Sequence, residues 1–554
     1  MRGRRSQRPR ARRRLAIAIA LGVAAVGLPS LAVAAPTQGE VEVADASPDA
    51  SAATSSSAAR SSASASTSDA STVAADATTD ASPGADAPRS AATDGASLDD
   101  LVTPAPDPAT APPTISTTST PSPERASPPV VAGPPSPRPS LALTPTAQVW
   151  IRGQSRLNAQ HDPAVGDRES AVLQRVRLGL RAESGPLRAY VELQDSRTWG
   201  FESATIANMA NVDLHQGYLE LGRDSEARGG FVRVGRQEIE IGSRRLFVDA
   251  NWHPLGQSFD ALRIAGHVGR FGADAGVIVL EPPATVTVDD PSGDPALAAQ
   301  VRSRGTFSYY AQAKAELHPE LKLEGLVLGV SERPSAAAPT AERDIVNAGV
   351  RLYGAPLRGL TYDVEAYGQA GRNLGLRHRA WAAFATLIYT LPRRLEPGLS
   401  LRYNYATGQA CVGAPADGCG NDRSGEFYRF FGLRHARYGI ADRVGYSNLR
   451  QLEVGAHLSP HKAVRLGAAY LFTQLDQATG RWINAGDKTI GVGWDPTNTS
   501  RDLAHELDFT VTLRPTKELF IQPGYAAFIP LEAARRIAGP ATQHFVFLWM
   551  VGTF

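Results

Sequence analysis

The sequence predicts an all-β chain: a transmembrane outer-membrane β-barrel of about 18 antiparallel strands, preceded by a disordered N-terminal linker. Three observations predict it. From Ala147 onward, runs of 9–12 residues alternate apolar and polar side chains between turns of Gly, Pro, Asp and Asn. Strands of soluble proteins usually run about 5–6 residues, whereas a tilted strand needs about 9–11 to cross a bilayer. The polar faces carry charges of both signs, which suits a hydrated lumen better than a dry core. The chain also opens with the layout of an export signal.

Eight arginines (Arg2, Arg4, Arg5, Arg8, Arg10, Arg12, Arg13, Arg14) precede an apolar run from Leu15 to Val33, which closes on Ala32-Val33-Ala34. A basic segment, an apolar segment and small residues at a cleavage point read as a signal peptide over residues 1–34. Residues 35–142 follow as a linker of Ala, Ser, Thr, Pro and Asp, with 13 acidic residues, 4 basic ones and no aromatic side chain. Such a segment buries too little apolar surface to offset chain entropy, so disorder is expected. With this acidic linker and the basic signal set aside, the barrel region, residues 143–554, carries a formal charge of +3.

Strands are expected near 147–158, 171–183, 187–195, 212–222, 231–241, 258–268, 271–281, 306–317, 321–332, 345–354, 359–370, 379–391, 398–408, 448–459, 463–473, 503–514, 519–529 and 543–554. An even number is what bacterial single-chain barrels have. The alternation is plain in 175–183, where Val176, Leu178, Leu180 and Ala182 oppose Arg175, Arg177, Arg181 and Glu183. In 231–241 it breaks: Val232 and Val234 share a face with Arg236, Glu238 and Glu240. A bulge, or a strand leaving the lipid zone, would explain the break. The surrounding stretch, Val232 to Ala265, is also dense in arginine (Arg233, Arg236, Arg244, Arg245, Arg263) and reads as strands that enclose water, part of a pore wall. No sustained helical period or fixed-length repeat is evident.

Several segments resemble the bacterial alginate export family: Asp195 to Gly200, Val212 to Leu221, Arg233 to Glu238, Gly242 to Leu246, Gly256 to Arg263, Tyr438 to Asp442 with Asn448-Leu449, and His505 to Asp508. The resemblance implies an 18-stranded outer-membrane porin passing an acidic polysaccharide through an arginine-rich constriction. Its pore-lining, substrate-binding candidates here are Arg175, Arg177, Arg197, Arg236, Arg244, Arg245 and Arg263. Acids such as Glu238 and Asp260, with Glu192 and Glu220, would hold the arginines in place. The chemistry fits, because a polyuronate presents a carboxylate on every sugar and guanidinium is suited to bidentate carboxylate recognition.

The expected partners are outer-membrane lipid, an anionic polysaccharide or other anionic solute, and the outer-membrane assembly machinery. The last would read the final strand through Phe554. Neither a cofactor nor a nucleic-acid partner is expected. The histidines lack metal-site spacing, and Asp442, Asp476 and Asp487 suit solvated loops better than calcium sites. Cys411 and Cys419, separated by seven residues, suggest a local disulfide in an exported chain; a metal site is the lesser reading. Two other classes stay open: an outer-membrane hydrolase of lipid or polysaccharide, and a structural or adhesive barrel. The linker is placed on the periplasmic side by analogy with other barrels.

Overall fold

The computed structural model describes residues 140–554, apart from 165–166, 201–211, 224–227, 289–298, 319, 334–341, 418 and 433–434. The expected signal peptide and all but the last residues of the expected linker lie outside the described residues. Eighteen wall strands follow in chain order: β1 (Ala142–Leu157), β2 (Arg168–Ser184), β3 (Leu187–Thr198), β4 (Val212–Arg223), β5 (Arg228–Gln237) and β6 (Phe259–Val268). Next come β7 (Phe271–Glu281), β8 (Thr306–His318), β9 (Leu321–Glu332), β10 (Arg343–Leu357), β11 (Leu360–Asn373) and β12 (Leu376–Thr390). The last are β13 (Gly398–Ala406), β14 (Leu449–His461), β15 (Val464–Leu475), β16 (Asp502–Leu513), β17 (Leu519–Pro530) and β18 (Gln543–Thr553).

Each strand pairs antiparallel with the next, and β1 pairs with β18 to close the barrel. Closure gives each wall strand a partner on both sides and leaves no sheet edge, the condition for strands in hydrocarbon. All eighteen sequence-expected strands are present, with ends shifted by a few residues. The structure adds a short hairpin, Ala284–Val288 with Ala299–Ser303, and a six-residue helix, Glu532–Ile537, in the β17–β18 connection.

Burial is inverted relative to a soluble protein. Val350 is 59% exposed and Leu178, Val191, Val234 and Ile264 are likewise outward, while Arg177, Glu192, Glu220, Glu365 and Glu453 are buried inside. Polar side chains turned inward and apolar ones outward describe a wall between lipid and lumen. A 12-residue strand, such as β9, extends about 40 Å, and a tilt of about 40° projects this to about 30 Å, the hydrocarbon thickness.

The two rims differ. At one, most connections are tight, such as Gly185–Pro186, Gly269–Arg270 and Arg358–Gly359, and both barrel termini meet there through paired backbone bonds between Ala147 and Phe554. At the other, long connections span 238–258, 407–448 and 476–501, and these fold back inside. Their buried aromatics (Phe247, Trp252, Phe427, Phe431, Tyr438, Tyr446, Trp482) form the apolar core together with inward wall residues such as Trp150, Phe384, Phe528 and Phe547. The core therefore fills the loop-side half of the lumen. By the asymmetry common to outer-membrane barrels, that long-loop rim faces out of the cell.

Replacing Val350, midway along β10 on the outer face, with arginine should cost about 2–4 kcal/mol, the cost of a cation at the bilayer midplane. Denaturant unfolding in lipid vesicles measures it, and Val350→Leu should leave stability near the parent's.

Candidate functional site

The strand β5 ends at Gln237 because the chain leaves the wall there. Within the wall the alternation is unbroken: Arg236 stays outward beside Val232 and Val234, in register with Asp260. Glu238 to Ser258 then cross the interior as a plug. Four consecutive plug carbonyls accept bonds from the wall. Arg152 donates to Trp252 O at 2.8 Å and Arg175 to His253 O at 3.1 Å. Ser196 donates to Pro254 O at 3.0 Å and Gln194 to Leu255 O at 2.9 Å. Gly256 adopts φ +66°, and a Cβ there would collide with the Arg177 guanidinium, so glycine is required for this approach.

Side chains fix the plug as well. Glu238 bridges Arg177 and His215, each at 2.8 Å. The β3–β4 register steps at Glu192–Leu193, leaving His215 as the extra residue of β4 and turning it inward onto Glu238. Arg245 is paired with Glu365 at 3.1 Å, donates to Tyr438 Oη at 2.7 Å and lies 3.8 Å from the Phe384 ring centre. Trp252 stacks on His435 with centroids 3.6 Å apart, edge-on to Phe547 and Trp549.

The second inserted loop is latched by acids of β16. Ile440 N donates to Asp508 at 3.1 Å and Ala441 N to Glu506 at 2.8 Å. Gly439, at φ +103°, allows this, since a Cβ would strike the Glu506 carboxylate. Two sequence segments about 65 residues apart, Tyr438–Asp442 and His505–Asp508, thus meet as latch and catch. Asp442 accepts from His435 and Arg156, Asp476 from Arg450, and Asp487 pairs with Arg429. These aspartates serve loop packing, and no cluster with metal-ligand geometry occurs among the described residues.

The turn-side half of the lumen is lined by part-exposed ion pairs. Arg188, Glu220, Arg233 and Arg263 stand opposite one another on β3, β4, β5 and β6. Lys314, Glu324, Arg351 and Glu365 continue similarly on β8 to β11. Glu220 bridges Arg188 at 2.8 Å and Arg233 at 2.6 Å. Arg263 pairs with Asp274 at 2.6 Å and Arg351 with Asp363 at 2.7 Å. Cross-strand complementarity stiffens the wall, while the fringe of guanidinium and ammonium groups remains accessible.

The nine residues expected to line a pore separate into three groups. Arg175, Arg177, Glu238, Arg244 and Arg245 surround or belong to the plug; Arg175, Arg177 and Arg245 are 1%, 4% and 3% exposed, so they hold protein rather than solute. Arg263 belongs to the part-exposed ladder. Arg197, Arg236 and Asp260 face outward: Arg236 pairs with Asp260 at 3.3 Å, and Arg197 pairs with Asp195 at 2.8 Å beside Trp199. The resemblance supplied them against the alternation, which puts Arg197 with Val191 and Leu193 and Arg236 with Val232 and Val234 on the apolar face. Cys411 and Cys419 are bonded in the 407–448 loop. Arg351, Glu324 and Asp363 were not singled out, although opposite charges at matching positions of neighbouring strands are a readable signal.

A family model described as alginate export matches residues 142–548. Similar solved structures, all from Pseudomonas aeruginosa, include OccK11 (OpdR), 12% identical with TM-score 0.46, covering 74% of this chain and 96% of that one. The outer membrane protein opdK is 9% identical with TM-score 0.47, covering 74% and 99%. OpdK with vanillate is 10% identical with TM-score 0.47, covering 74% and 98%. No curated protein matches the chain.

Arg245→Ala should cost about 3–5 kcal/mol by leaving the Glu365 carboxylate buried and unpaired, read as a lowered unfolding midpoint in detergent. Arg245→Ala with Glu365→Gln should recover part of that loss. A pH effect follows from two loop histidines. Burial, reinforced by Arg443, pushes His161 down to about 4; burial, reinforced by Arg152 and Arg175, does the same to His253. Their contribution is full above the unfolded value near 6.5 and is lost as pH falls toward about 4, because the unfolded chain binds those protons first. Unfolding midpoints between pH 7 and 4 should therefore fall less steeply in His161→Asn with His253→Asn than in the parent.

Proposed function

Because the chain belongs to the alginate export family, we propose that this outer-membrane barrel is a channel for an anionic polysaccharide of the alginate type, or for small anionic solutes, and not an enzyme. The observation that carries the reading is the turn-side ladder, where Arg188, Arg233, Arg263, Lys314 and Arg351 offer cations to the lumen while each guanidinium keeps an acid neighbour. A polyuronate carboxylate would exchange with these intramolecular partners, so each contact stays weak and a chain slides. Positive groups in a low-dielectric wall also raise the local anion concentration.

Passage requires the plug to leave the loop-side half. Its anchors suit that role, since neutral side chains and bonds to backbone carbonyls supply several of them, alongside the ion pairs of Arg177 and Arg245. Residues 35–142 would extend into the periplasm from the rim where β1 begins, as an acidic spacer. Phe554, 74% exposed at that rim, would remain available to the assembly machinery.

Ion selectivity in planar bilayers tests the reading. Changing Arg188, Arg233, Arg263 and Arg351 to glutamine should move an anion-preferring channel toward no preference, whereas Arg236→Gln on the outer face should leave selectivity unchanged. Cation preference in the parent protein would contradict it.

A further inference from the structure

The β11–β12 hairpin carries charge that nothing so far employs. Its turn at the loop-side rim is only Leu374 and Gly375, at φ +50° and +78°, the left-handed pair of a tight hairpin turn. The neighbouring loop-side connections are far longer, so this corner of the rim is low. Arg372 and Arg377 stand opposite each other across the turn, and Arg379 follows two positions later opposite Ala370. All three are exposed and share the outward face with Trp381, whereas His378 and Ala380 between them are buried inward. Arg423, also exposed, lies in parallel register beside Arg377.

None of these four guanidiniums has a hydrogen-bond or ion-pair partner among the described residues. Two acids adjoin them. Asp344 stands opposite Arg372, but it is held by Arg333 at 2.9 Å and Ser331 at 2.8 Å. Asp422 precedes Arg423 in the chain. Other outward arginines near this rim are neutralised in place: Arg197 by Asp195, Arg236 by Asp260 and Arg333 by Asp344. Like charges on neighbouring strand positions destabilise a sheet, so an uncompensated cluster of four calls for an external anion.

Its height identifies the class. Trp381, 52% exposed, marks the interfacial aromatic level, and Arg379 lies two residues, about 7 Å, beyond it toward the rim. That is the depth of lipid headgroups. Planar guanidiniums favour phosphate through paired hydrogen bonds. We propose that Arg372, Arg377, Arg379 and Arg423 form a binding site for the phosphorylated sugar headgroup of a glycolipid in the outer leaflet, with Trp381 against its proximal acyl region.

The test titrates the full-length protein, refolded in detergent, with bisphosphorylated lipid A, with dephosphorylated lipid A and with inorganic phosphate, each with the parent and with the R372Q/R377Q/R379Q/R423Q chain. The parent should bind bisphosphorylated lipid A at least about tenfold more tightly than the variant does, a difference of about 1.4 kcal/mol. Dephosphorylated lipid A should bind both chains equally weakly, and the outer-face control R197Q/R236Q should bind like the parent. Folding is verified by heat-modifiable gel migration. Should the quadruple variant fail to fold, R377Q/R379Q carries the same comparison. Equal affinity of parent and variant for bisphosphorylated lipid A overturns the proposal. So does displacement of that lipid by inorganic phosphate at similar concentration, which would mark a site for soluble anions.

Discussion

Arg175 and Arg177 point into the closed barrel, where a charge without a partner would cost several kcal/mol. Their partners are the carbonyl of His253, the side chains of Gln148, Asn251 and Gln194, and the carboxylate of Glu238. Three of these groups belong to the chain between β5 and β6. The need to satisfy buried guanidiniums and the course of that segment are thus one constraint seen from two sides. Glycine at 256, the extra residue at His215 and the run of accepting carbonyls all follow from it.

The barrel consequently has two unlike halves. On the loop side, three inserted loops build a core of aromatic rings with satisfied ion pairs, as a soluble domain would. On the turn side, charged side chains cover the wall in complementary rows and keep part of their surface open. The first half occludes the lumen; the second leaves charged groups of both signs exposed to it. A permanently open pore would need only the second. The family match covers both halves, since it runs from residue 142 to residue 548.

Much of the wall was legible in the sequence, because the two solvents impose a period of two on every strand. Arg177 beside Leu178 and Glu506 beside Leu507 state that rule locally. The plug was not legible. Residues 238–258 have no period, and their partners sit at positions such as 152, 365 and 438, where only the closed barrel brings them near. Arg236 shows the limit of the rule itself. Counting alternation through Gly235 put it on one face with Glu238 and Glu240, yet the wall ends at Gln237 and only Arg236 belongs to the outer surface. The charge ladder lay between these extremes: Arg263 stood among the pore-lining candidates and Glu220 among the acids holding them, but Arg233 did not, and their mutual register depends on strand pairing.

The closed state of the plug is the claim on which the rest depends. Ser243 lies inside it, 5% exposed and bonded to Glu365, and the native cysteines are already joined to each other. Ser243→Cys therefore reports plug position through maleimide labelling of the folded, membrane-embedded protein. Slow labelling at rest that accelerates when polyuronate is added is the predicted result. Labelling at rest as fast as that of a cysteine placed on an exposed loop would contradict the account.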